Sequence, residues 1–186
     1  MSLLPFAEWL AGTSGSIALH ESLFMYPVIE SVHVLTLCLF VGMSVLLDFR
    51  LLGFGLKKVS VTDITDRLLP LMFVGFFIMV VSGVLLFYAI PIRSYQSVWF
   101  RLKVIMLIAA GINAWTFHST IYKRVHEWKE SPVTPRRAKL AGALSLFLWA
   151  GIIVNGRMIA YNWFDCDMHQ SKFIAWAAGC TAEQQK

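Results

Sequence analysis

The fold class that the sequence predicts is all-α: a polytopic membrane protein with an antiparallel bundle of four transmembrane helices. Three observations carry it. The chain of 186 residues is 58% hydrophobic and only 15% charged, whereas a soluble domain is about 45–50% apolar and about 25% charged. Four stretches, 27–47, 68–90, 102–122 and 140–164, are apolar enough to cross a bilayer, which takes roughly 17–25 residues. The connections between them are too short to fold as separate domains, so successive spans reverse direction and their backbones are satisfied only as helices. The chain divides into an outer, interfacial segment 1–26, a four-helix domain 27–164 and an outer tail 165–186.

Each element has its own local signal. Residues 3–11 read as a short amphipathic helix in the membrane interface, anchored by Trp9. The stretch "GTSGS" at 12–16 breaks it, and a serine there can cap the next helix. Residues 17–26 are apolar but interrupted by His20 and Glu21. Pro27 begins the first span or kinks a longer helix. The second span carries no charge, and Pro91 ends it. The third is charged only at Lys103 and the fourth only at Arg157. Two prolines in "ESPVTPRR", 130–137, fix the third connection as a loop. The tail is polar and then aromatic, and is expected to return to the outer surface.

Charge sets the orientation. The first 49 residues contain no Lys or Arg, whereas Arg50, Lys57, Lys58 and Arg67 flank the first connection and Lys123, Arg124, Lys129, Arg136, Arg137 and Lys139 flank the third. Basic loops stay cytoplasmic, which predicts a multi-pass protein of a bacterial inner membrane with both termini outside. The net charge of +5 follows from this asymmetry. The cations cap helices and form no separate basic domain, so nucleic acid is not a partner; the lipid bilayer is. No basic n-region and no small-residue cleavage site precede the apolar run, so a secretory signal is not expected. Cys38, in mid-helix, reads as a small core residue. Cys166 and Cys180 would pair in an oxidising periplasm and stay thiols otherwise; such a disulfide would be worth about 3 kcal/mol.

The spans hide ionisable groups, which are costly in lipid and mark a polar interior. With about 100° per residue, and Glu30 taken as zero, His33 falls at about 300°, Leu37 at about 340°, Ser44 at about 320° and Asp48 near 0°. These share one face, expected to point into the bundle. Lys103, Leu107, Ala110, Gly111, Ala114 and His118 form a stripe on the third helix. Met72, Gly75, Met79, Ser82 and Gly83 form one on the second, and Gly142, Ser145, Trp149, Gly156 and Ala160 one on the fourth. Small residues in such stripes admit either a neighbouring helix or a flat cofactor. Depth then separates an outer layer (His20, Glu30, His33, Arg101, Lys103, Arg157) from an inner one (Asp48, Arg50, His118, Tyr122, with His126 as a further candidate). At 1.5 Å per residue, His33 and His118 lie roughly 15–20 Å apart in depth, too far to share one haem.

Histidine among small, aromatic and Met-rich faces points to a b-type haem. His33 is the first axial ligand, His20 the second, with Met158 behind it. Glu30, one turn before His33, would orient the imidazole. Arg101, Lys103 and Arg157 would neutralise the propionates. His118 and Asp48 would serve an inner redox or proton site, open to quinone. Two other readings compete. In one, no cofactor binds: Glu30 pairs with Lys103 or Arg157, Asp48 pairs with Arg50 or Arg124, and the protein is a transporter or assembly subunit. In the other, "DCDMH" holds a metal between Asp165 and His169, one helical turn apart, with Cys166 and Met168 as soft ligands; Cys166 could not ligate if it is in a disulfide.

The segments "PVIESVHVLTLCLFVGMSVLLDFRLLG", "FRLKVIMLIAAGINAWTFH" and "SLFLWAGIIVNGRMIAY" resemble the signature segments of an uncharacterised family of small bacterial four-helix inner-membrane proteins. More remotely, the layout resembles the haem-dependent membrane protoporphyrinogen oxidases and the copper-resistance D proteins. In the oxidases a His early in the first helix and a Lys on the third are signature positions, and His33 and Lys103 are similarly placed. After the histidine this chain reads "LLDFRLLG" where the oxidases have an aromatic-rich segment ending in another His. The resemblance therefore implies haem binding more than porphyrinogen oxidation. The expectation is a haem b electron carrier between quinol and a periplasmic or membrane redox partner protein.

Overall fold

The computed structural model describes residues 3–55, 59–128, 134–161, 163–164, 166, 168–181 and 184. Lys57, Lys58 and Lys129, used for orientation, and Asp165 and Asp167 of the metal reading lie outside the described residues, as do residues 130–133 of the third connection. All regular structure among the described residues is helical: α1 Leu4–Ala11, α2 Ser14–Glu21, α3 Met25–Leu52, α4 Val61–Ala89, α5 Pro91–Tyr95, α6 Val98–Thr116, α7 Arg136–Met158 and α8 Lys172–Ala178. A π turn, Phe117–Ile121, and a 3₁₀ turn, Tyr122–Glu127, continue α6. Four helices, Met25–Leu52, Val61–Ala89, Val98–Glu127 and Arg136–Met158, are long and apolar enough to cross a membrane. Their apolar residues are mostly exposed, as lipid-facing surfaces must be.

The helices outrun the apolar stretches that announced them. α4 starts seven residues before the expected 68 and passes through Pro70. Proline removes one backbone donor, which a spanning helix tolerates when neighbours compensate. The added turns are held by packing: Val61, Ile64 and Thr65 are buried, and Thr65 Oγ1 donates to the Val61 carbonyl at 2.8 Å. Asp63 in the first turn suits the helix dipole. α7 instead stops at Met158, six residues short of expectation.

The chain forms two compact units. The second comprises Val34–Met79 and Met106–Gly151. In it α3 and α7 run antiparallel, since Asp48 meets Gly142 and Phe40 meets Trp149 with ring centroids 5.0 Å apart. Phe40 also packs against Phe76 of α4, with ring centroids 5.6 Å apart and the rings tilted. Asn113 of α6 donates to the Ala141 carbonyl of α7 at 3.0 Å, while Met106 fills the notch at Gly151. One end is closed by a core of Leu51, Val61, Phe117, Val125, Trp128 and Ala138. Arg50, only 3% exposed, ties that end together by donating to the Val59 carbonyl at 2.8 Å and to Thr134 Oγ1 at 3.4 Å.

The first unit comprises Met1–His33, Val80–Ile105 and Ile152–Lys186. Thr13, not a serine, caps α2, accepting from the Ser16 amide. Its hydroxyl lies 2.7 Å from that of Tyr88, and Ser16 donates to the Tyr88 carbonyl at 2.7 Å. These bonds and the packing of α1 on α5 dock the N-terminal helices, leaving Phe6 and Trp9 exposed as an interfacial helix requires. Pro91 begins α5 at its first turn. At the other end of the chain Cys166 and Cys180 form a disulfide. Arg101 of α6 donates to the Ala177 carbonyl at 2.8 Å and the Tyr95 carbonyl at 3.1 Å, and its guanidinium lies against Gly179, which closes α8 at φ +72°.

Two substitutions probe these joints. A Cβ at 142 would lie 3.3 Å from the Asp48 carbonyl oxygen and from Leu51 Cβ, so Gly142→Val is expected to destabilise the protein by about 1–3 kcal/mol, read as a lower melting temperature in detergent. Thr13→Ala is expected to cost about 1 kcal/mol and to expose the bond following α2 to limited proteolysis.

Candidate functional site

Burial follows the polar face of α3 only part of the way. Asp48 and Ser44 are buried, His33 and Leu37 half-buried, and Glu30 exposed. The face therefore turns inward progressively, and Glu30, near the start of α3, does not point into a bundle as expected. Cys38, expected in the core, is exposed; it stands on the side of α3 that lipid would cover.

His33 is the best-positioned imidazole. Its Nδ1 lies 3.0 Å from Ser82 Oγ on α4. Gly83 beside it is small for a reason: a Cβ there would lie 3.2 Å from His33 Cε1. One helix thus supplies both a hydroxyl for the ring and the space it lies in. Lys103 of α6 uses a glycine in the same way, its Nζ 3.3 Å from where a Cβ of Gly156 would be. Arg157, exposed at the end of α7, stacks on Tyr161 with 5.5 Å to the ring centroid. Arg101 is engaged by the tail, as described. His20 and Glu21, together with Ser16, Ala89, Pro91 and Arg93, line a cavity of about 400 Å³.

His20, Glu30, His33, Arg101, Lys103 and Arg157 all belong to the first compact unit, and Asp48 and His118 to the second. Asp48 is hydrogen-bonded by the hydroxyls of Ser145 and Ser44. It is not paired with Arg50, which the Val59 and Thr134 oxygens hold. His118 lies in the π turn, exposed, between Phe117 and Tyr122 with ring centroids 5.4 and 5.5 Å away.

The α6 face differs from expectation. Gly111, Ala114 and His118 are exposed, while Ala110 and Phe117 are buried and Lys103, Met106 and Asn113 half-buried. The inward line runs 103, 106, 110, 113, 117, a 3–4 spacing that was present in the sequence. Asn113 and Phe117 set it, one through the Ala141 carbonyl and the other through the core. Of the metal reading of "DCDMH", the disulfide takes Cys166 out, since it consumes that sulfur. Among the described residues no group of three or more His, Cys, Asp or Glu side chains converges on a metal position.

Replacing Gly83 with valine is expected to drive the His33 ring away from α4. The readout is the nitrogen NMR signal of the His33 side chain, which should lose the signature of an engaged Nδ1; an unchanged signal would mean that the ring does not depend on that notch.

Comparison with known proteins returns one family. No curated protein and no solved structure matches the chain. The model of the family described as "Family of unknown function (DUF6644)" matches residues 8–162, which takes in all four spanning helices, both α3 and α6 polar residues, and Arg157. The protein is a membrane protein with four helices able to span a bilayer, and it belongs to this family of unknown function.

Proposed function

We propose that the protein is a b-type haem protein of the bacterial inner membrane that passes electrons between quinol and a periplasmic or membrane partner. The observation that carries this reading is the seating of His33. A histidine that ligates a metal engages its other ring nitrogen with a fixed partner, and Ser82 Oγ at 3.0 Å from Nδ1 is such a partner. Coordination would then run through Nε2. His20, in the same compact unit, is proposed as the second ligand. Lys103 and Arg157 would meet the propionates; Arg101 is already committed to Tyr95 and Ala177, so its expected share falls to them. Haem, when bound, supplies one-electron transfer. The Ser82 hydroxyl and the space at Gly83 seat the imidazole.

The disulfide supports the proposed orientation, because a bond such as Cys166–Cys180 forms in an oxidising compartment, which an outer tail would meet. The cavity beside His20 and Glu21 is proposed to receive the quinol, whose hydroxyls can bond to both side chains.

A second reading, a transporter or assembly subunit without cofactor, is favoured by a specific observation. The notches that admit a cofactor are occupied by the chain itself: Gly83 by His33, Gly156 by Lys103, Gly151 by Met106 and Gly142 by α3. Optical spectra of the purified protein, oxidised and then dithionite-reduced, separate the two. A sharp reduced α-band is expected, and His33→Ala is expected to lose it while still inserting in the membrane. A colourless wild type from haem-sufficient cells would overturn the haem reading and leave the second.

A further inference from the structure

The second unit holds a carboxylate for which the seating of His33 has no use. Asp48 is 4% exposed. On its own helix, Ser44 hydrogen-bonds to it from one turn earlier, and on α7 Ser145 does the same. One turn before Ser145, Gly142 brings bare backbone so close that a Cβ there would lie 3.6 Å from Asp48 Cα. The carboxyl is enclosed by two hydroxyls and glycine backbone. Its Oδ2 is fully buried and has no hydrogen-bond partner.

Among the described residues no cation offsets this. Arg50, two residues along, is turned to Val59 and Thr134. From α3 Asp48 is faced by Ser44, and from α7 by Ser145 and Gly142; no charged side chain is among its described partners. A bare carboxylate in such surroundings forfeits its solvation with nothing in return. An ionisable group kept inside a membrane span under those terms marks a proton or ion path. A proton on the carboxyl removes the charge and turns the orphaned oxygen into a hydroxyl.

We propose that Asp48 is a proton-binding site within the membrane, with the Ser44 and Ser145 hydroxyls as its fixed hydrogen-bond partners. The site takes up a proton from one neighbour and releases it to another, whether or not the first unit carries haem. The proposal goes beyond the haem reading and is tested without reference to colour.

The test is labelling of the full-length protein in membranes with an apolar carbodiimide. A protonated carboxyl adds across the reagent's carbon–nitrogen double bond: a new carbon–oxygen bond forms, the proton moves to nitrogen, and the adduct rearranges to a stable N-acylurea. Peptide mapping by mass spectrometry should find one adduct on Asp48, formed faster as pH falls, lost in Asp48→Asn, and unchanged when sodium chloride replaces choline chloride. A water-soluble carbodiimide should leave Asp48 unlabelled and reach only exposed carboxylates. Absence of the adduct from Asp48 in wild-type protein, under conditions where the exposed Glu30 is labelled, would overturn the proposal. Protection by sodium would overturn it too, in favour of a cation site. Because the wild-type map decides the matter, the result stands even if Asp48→Asn fails to fold.

Discussion

Lipid offers no hydrogen bonds, so a polar group placed along a spanning helix must find its partner within the chain. The rest of the structure answers to that constraint. His33 reaches Ser82, Asn113 reaches the Ala141 carbonyl, and Asp48 takes the hydroxyls of Ser44 and Ser145. Each of these bonds fixes the rotation of one helix against another, which apolar packing alone does loosely in a membrane. Glycines complete the arrangement, because a polar side chain can lie along a neighbouring helix only where that helix has no Cβ to obstruct it. Gly83 does this for His33 and Gly156 for Lys103.

Apolar length was enough to count the spans, but not to bound them. The membrane-crossing part of a helix is set by lipid thickness, whereas its ends are set by local packing. Thus α4 begins at Val61 because Val61, Ile64 and Thr65 are buried, although Asp63, Asp66 and Arg67 interrupt the apolar pattern. The inward faces of α4 and α7 could be read from Ser82, Gly83, Gly142 and Ser145. That of α6 could not, because His118 drew the line towards Gly111 and Ala114, which are exposed. The determining residues were Asn113, whose amide needs an acceptor, and Phe117, whose bulk needs a core.

The residues that carry chemistry were visible as types, while their partners were not. Histidine, aspartate and lysine inside apolar stretches stand out by cost alone. Serine does not, since a hydroxyl can bond back to its own helix, so Ser82 and Ser145 looked like mere small residues. Glycine is silent in a further way: the same residue that would make room for a cofactor makes room for a neighbour's side chain. Only the fold shows that Gly151 receives Met106 and Gly142 the backbone of α3. Arg50 was read as an orientation signal. It is also a buried clamp whose guanidinium holds Val59 and Thr134, a role that depends on residues distant in sequence.

The tail has a bearing on how the molecule is made. Its ring is closed by Cys180, which lies beyond α8, and cannot form until that cysteine has been synthesised and has met an oxidant. By then α7 is complete. Arg101 joins the tail to α5, since it donates to the Ala177 and Tyr95 carbonyls and lies over the Tyr95 ring. The short α5 turn that presents Tyr95 and the α8 helix that presents Ala177 thus share one guanidinium. Closing that ring is a covalent step chemically distinct from insertion, and it needs an oxidant that the chain itself does not carry.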